Sequence, residues 1–149
     1  AGSKRNGGGY TVSDEELVRL VLSFAGEVNA LQRKYAPRLK AEREQSRMAA
    51  FLEAYRAEAG LIYARYLTRR ERTYYTPLSV PPTYAAMEEM TLSTVERVKD
   101  RAVVEILTSG GLLDYRFKLV CREGEWRINS YQQRLHTESR ICRWIYGDF

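Results

Sequence analysis

Apolar and polar positions along this 149-residue chain follow two rhythms in succession. Leu17, Leu20, Val21, Phe24, Val28, Leu31 and Tyr35 recur at the i, i+3, i+4, i+7 spacing of a single helix face. Ser13-Asp14-Glu15-Glu16 precedes them as a capping box, with acids at the positive end of the helix. Pro37 either ends this helix or opens the next one. A second stripe of Met48, Leu52, Tyr55, Ala59, Ile62, Tyr63 and Tyr66 predicts a helix from about Arg38 to about Thr68. Its opposite face is densely charged, and Gly60 can kink it or admit a close neighbour.

Past residue 90 the period shortens to two. Strands are predicted at Thr91–Val98, Arg101–Thr108, Leu112–Arg122 and Glu125–Leu135. Lys99-Asp100, Ser109-Gly110-Gly111 and Glu123-Gly124 form the corners between them, where glycine supplies a positive φ. Leu113, Tyr115, Phe117, Leu119 and Cys121 share the inner face, and so do Trp126 and Ile128. Asp114, Arg116, Lys118, Arg122, Arg127 and Asn129 alternate outward, and Arg97 and Tyr131 are assigned to that same outer face. Between the two regimes, Pro77, Pro81 and Pro82 forbid a central strand over Thr73 to Ala86. An irregular loop is expected there, with at most an edge strand near Arg72–Thr76. The tail from Thr137 carries Ile141, Trp144, Ile145 and Phe149 and reads as a short helix or a segment wrapped on the body.

Composition narrows the picture without naming a chemistry. The 44% hydrophobic content supports one domain, 13–149, after a disordered Gly-rich tail at 1–12. No apolar run reaches the ~18–20 residues of a membrane span, and no signal peptide is visible. The expected compartment is the cytoplasm, or the periplasm if a signal sequence has been removed. Cys121, Cys142 and a single histidine, His136, make neither a disulfide framework nor a metal site, so no cofactor or metal is expected. The net charge of +5 is interspersed, with one dense knot at Arg69-Arg70-Glu71-Arg72.

The segment Tyr115-Arg116-Phe117-Lys118-Leu119-Val120, then Gly124, then Trp126-Arg127-Ile128-Asn129-Ser130, resembles the closing hairpin of the nuclear transport factor 2-like superfamily. That resemblance implies an α+β cone: two long N-terminal helices packed on a curved four- to five-stranded antiparallel sheet. Within the superfamily the chain is most similar to the immunity proteins of bacterial polymorphic (Rhs- or contact-type) toxin systems. This implies a non-enzymatic protein that binds a cognate toxin and occludes its active site. The cone also hosts enzymes, so a small-molecule binder or an isomerase or dehydratase is the alternative. A homodimer paired through the sheet face is a further possibility, since this is common in the fold.

Residue chemistry bears on those readings. A cone enzyme needs an inward carboxylate beside a tyrosine. Tyr115, Tyr55, Tyr63 and Tyr66 are inward candidates, but the acids nearest the helical stripe, Glu53 and Glu58, sit at its edge. His136 has no orienting partner in the sequence. Arg97, Arg116, Lys118 and Arg127 give the outer face a basic character, with too few aromatics for base stacking. Eleven tyrosines beside clustered arginines are the composition of protein-binding hot spots. The expected partner anchors are Arg69, Arg70, Arg72, Tyr74, Tyr75, Tyr84, Arg140, Arg143 and Trp144.

Overall fold

The computed structural model describes residues 12–149 apart from 71, 73–75, 90, 109–112, 138–139 and 148, and describes only the backbone at 136, 137, 140 and 141. Helix α1, Asp14–Tyr35, starts where the capping box predicts: Ser13 accepts the Glu16 amide. Such a cap contributes about 1 kcal/mol. Leu17, Val21, Phe24, Val28, Leu31 and Tyr35 are buried along one face. Val12, placed by the sequence in the disordered tail, packs against the core and accepts a hydrogen bond from Arg97.

The predicted second helix is not continuous. Pro37 sits in a 3-10 turn, Ala36–Arg38, that leads straight into the short helix α2, Leu39–Glu44. The chain then breaks at Gln45-Ser46-Arg47, where Ser46 takes a φ of 56°. Glu42 organises this corner, accepting from Arg38 and, at 2.8 Å, from the Arg47 Nε. Helix α3, Met48–Tyr66, follows and buries Phe51, Tyr55, Ala59, Ile62 and Tyr63. Phe51 joins the expected stripe as the most buried residue of its first turns, while Met48 and Leu52 pack on the core part-buried.

The strands are β1, Thr91–Val98; β2, Arg101–Thr108; β3, Leu113–Arg122; and β4, Glu125–Thr137. They form an antiparallel meander in the order of the chain. The tail adds β5, Arg140–Ile141, and β6, Ile145–Tyr146, both paired with β4, so it is a strand-forming wrap and not a helix. Lys99 and Glu123 take positive φ beside Gly124, at 55°, 54° and 79°, which turns two of the hairpins. The glycines at 110 and 111 lie outside the described residues.

A bulge decides which side chains face the helices. Lys118 pairs with Ser130 but Leu119 pairs with Ile128, so Asn129 is the extra residue on β4. Shifting a strand by one residue exchanges its faces. Trp126 and Ile128 point inward before the bulge, as alternation predicts, and Tyr131 points inward after it. Tyr131 is therefore a core residue and not an outer-face aromatic. It stacks on Phe117 with ring centroids 5.4 Å apart and planes 19° apart.

Rings fill the hollow between sheet and helices. Phe24 meets Tyr63, Tyr84, Phe117 and Phe149, and Tyr84 meets Tyr115 and Tyr131, mostly in tilted or edge-to-face contacts. The tail rounds the β4 edge to deliver Phe149, whose ring lies 4.9 Å from that of Tyr131. The Pro-rich loop is bound into this core. Gln32, fully buried, accepts from the Thr83 amide at 2.7 Å and donates to the Pro77 carbonyl at 3.0 Å. Asn29 accepts from the Tyr84 amide, and the Tyr55 and Tyr63 hydroxyls engage the backbone of Thr76. A buried backbone without strand partners must be satisfied by side chains, and these four supply the bonds.

Candidate partner-binding surfaces

The nine anchors expected from the sequence divide between two elements. Arg69 and Arg70 leave the end of α3 exposed, with Arg70 donating to the Asn129 carbonyl at 3.3 Å. Two clefts of about 280 Å³ each flank Arg69, one floored by Tyr63 and Leu67, the other by Val120 and Arg127. Arg72 is half-buried; it donates to the Thr68 carbonyl at 2.6 Å and lies over the Tyr63 ring, so it fastens the turn. Tyr74 and Tyr75 lie outside the described residues. Tyr84 is corrected: it is fully buried among the rings of the hollow and offers nothing to a partner. Its own amide donates to Asn29 Oδ1 at 2.9 Å, which draws the end of the loop inward.

The tail carries the other three. Arg140 belongs to β5, where only the backbone is described. Arg143 is exposed. Trp144 lies on the outer sheet face in contact with two guanidiniums, Arg116 at 4.3 Å and Arg134 at 4.4 Å from its ring centroid. Two residues along β6, Tyr146 lies under the Lys118 ammonium at 5.0 Å and accepts its hydrogen bond at 2.8 Å. β6 pairs with Gln132 and Gln133, which fixes this placement. Arg116, Lys118, Arg134 and Tyr146 were absent from the expected anchors. Their signal in the sequence was the i, i+2 spacing of Trp144 and Tyr146, which puts both on one face once the tail is read as strand.

Acids beneath the outer face hold the cations. Asp114 alternates outward as predicted but is buried, only 1% exposed, and accepts from Arg134 Nε at 3.3 Å and from the Thr108 amide. Glu105 accepts from Arg116 at 3.3 Å. Arg97 is corrected to the inner face: it pairs with Ala102, stacks on Trp126 and binds Val12 and Asp14. Arg127 turns from the sheet to α3, donating to the carbonyls of Ala64 and Leu67 at 2.7 and 3.0 Å. A cation at the negative helix end is favourable by about 0.3–1 kcal/mol.

The hollow itself presents hydroxyls and no paired acid. Burial pushes the phenols of Tyr63 and Tyr115 up to about 12 and that of Tyr84 well above its ordinary range. Tyr115 donates to the Thr83 carbonyl. The buried carboxylates among the described residues are Glu42, at the helical corner, and Asp114, on the outer face. Glu53 is exposed, and Glu58 is tied to Lys34 and Tyr35. The tyrosine–carboxylate pairs among the described residues, Tyr35 with Glu58 and Tyr66 with Glu27, lie along α1 and α3 with part-exposed carboxylates that also bind Lys34 and Arg65, and neither involves Tyr115 or Tyr63. Cys121 and Cys142 are free thiols.

Residues 16–145, most of the chain, match the model of a family described as NTF2 fold immunity protein. The chain belongs to that family. Comparison with curated proteins and with solved structures gives no match. The helices, the meander and both described surfaces lie almost wholly inside the matched span, while the tail contacts of Tyr146, Gly147 and Phe149 fall outside it. Among the described residues of this immunity-family chain, no helix is long and apolar enough to cross a membrane.

Proposed function

We propose that this chain is the immunity partner of a bacterial polymorphic toxin of the Rhs or contact type, acting in the cytoplasm by binding the toxin and covering its active site. The family match over residues 16–145 carries the reading. Neutralisation by occlusion needs no catalytic group in the inhibitor, only a surface that excludes substrate from the toxin. Arg69, Arg70, Arg143 and Trp144 are the exposed or partly exposed anchors of the expected set, with Tyr74 and Tyr75 from the Pro-rich loop. A net charge of +5 favours an acidic or neutral toxin over a cationic nuclease. A homodimer paired through the sheet face is disfavoured, because two copies would set Arg116, Lys118 and Arg134 against like charge.

Co-expression provides the test. The neighbouring upstream reading frame is expressed alone and with this chain in a bacterial host. The expected result is arrest by the frame alone, and restored growth with co-purification when both are present. Continued arrest with no complex recovered rejects the immunity role.

A further inference from the structure

We infer that the outer sheet face around Trp144 is the toxin-docking surface and that it fits a carboxylate-rich patch on the toxin. This rests on the immunity reading and gives it a location and a partner chemistry.

Three observations carry it. First, the site is built. Trp144 meets the guanidiniums of Arg116 and Arg134, and those arginines are held in turn by Glu105 and by buried Asp114. Side chains fixed before binding lose little entropy on contact. Second, the charge around Trp144 is predominantly cationic, with Glu105 the part-exposed acid among Arg116, Lys118, Arg134 and Arg143. Asp114 is covered, whereas Tyr146 is 63% exposed beside Lys118, and Arg143 is exposed next to the tryptophan in sequence. A guanidinium has five N–H donors, more than one acidic neighbour uses, and its fork matches a carboxylate two bonds at a time. Third, the same face exposes large apolar side chains: Leu92 and Val98 on β1 are 71% and 72% exposed, with Thr94 and Glu96 between them. Apolar side chains sharing a face with arginine, tryptophan and tyrosine have the composition of a protein hot spot.

Nucleic acid is the competing acidic partner, and the geometry argues against it. Base stacking needs an accessible ring, and two guanidiniums already lie over that of Trp144.

The test measures affinity for the product of the neighbouring toxin frame, disabled in its catalytic residue, by calorimetry at low and high salt. The Arg116→Gln/Lys118→Gln double variant is expected to bind about tenfold or more weakly and with a flatter salt dependence. Trp144→Ala is expected to weaken binding about 30-fold. Lys40→Gln/Arg43→Gln removes the same charge from exposed positions of α2 and should bind as the parent chain does. Circular dichroism checks that each variant is folded. Failure of the parent chain to bind rejects the immunity reading and the docking surface together. Full affinity in the face variants leaves immunity standing and overturns the assignment of this face. A short single-stranded oligonucleotide that binds the parent chain and is lost with Trp144→Ala also overturns it.

Discussion

The Tyr131 ring occupies the space that a Cβ on Gly147 would need. The Gly147 amide simultaneously donates to the Tyr131 carbonyl at 3.0 Å, so the tail crosses β4 at contact distance. Tyr131 cannot retreat, since Phe117 stacks on one side and Phe149 packs on it from the tail. Gly147→Ala is therefore expected to destabilise the fold by about 1–3 kcal/mol and to loosen the Phe149 plug. Urea unfolding gives the first quantity and near-ultraviolet circular dichroism the second. An unchanged midpoint with unchanged aromatic signal would contradict this packing.

Gln32 holds the Pro-rich loop through its side chain alone. Gln32→Leu keeps the volume but strands the Thr83 amide and the Pro77 carbonyl. Each buried group left without a partner costs about 1–3 kcal/mol. A loss of at least about 2 kcal/mol in urea unfolding is expected. Hydrogen exchange at Thr83 should accelerate ahead of the sheet amides. Equal protection in both proteins would show that the loop is held by something else.

Much of this architecture was legible in the sequence, because local signals and tertiary demands agreed. Ser13 caps where a capping box predicts, and the four long strands fall close to their predicted limits. The misreadings share a physical cause: each needed a long-range fact. Nothing local marks Asn129 as a bulge, and one extra residue reversed the side assigned to Tyr131. Ser46 carries no breaker signal, yet its positive φ ends α2. Nothing local marks Asn29 and Gln32 as buried, because their partners lie about fifty residues away. Arg97 looked outward by composition but is drawn inward by the Trp126 ring. The candidate surface was half visible: Trp144 was singled out, and its contact with Arg116 and Arg134 emerged only with the β4–β6 register.

Acid should weaken the helical layer. Arg33 holds the Glu88 carboxyl below its ordinary 4.5, Lys34 with Tyr35 does the same for Glu58, and Arg38 with Arg47 for Glu42. A carboxyl depressed in the folded state adds stability that is present above 4.5 and lost as pH falls through the lower folded value. The urea midpoint is expected to be flat above 4.5 and to fall from there down through the lower folded values, by a small amount for the part-exposed Glu58 and Glu88. Glu58→Gln should flatten part of the fall.

Alkali acts on the hollow with the opposite sense of titration. Tyr63 and Tyr115 keep their protons to about 12 when folded, against an ordinary 10.0. Below pH 10 the phenols are protonated in both states and the fold is at full strength. As pH rises from 10 toward 12 the unfolded chain ionises first, so stability is lost across that window. Absorbance near 295 nm in native and urea-unfolded protein checks this. Coincident titration curves would contradict the burial of these rings.

The most direct measurement is the catalytic rate of the purified neighbouring-frame toxin as this chain is added in increasing amounts. Neutralisation by occlusion predicts a linear fall to zero activity at one chain per toxin. Recovery of activity is expected once the complex is dissociated, because no bond is made or broken. Undiminished turnover in the presence of excess folded chain would contradict the immunity role outright.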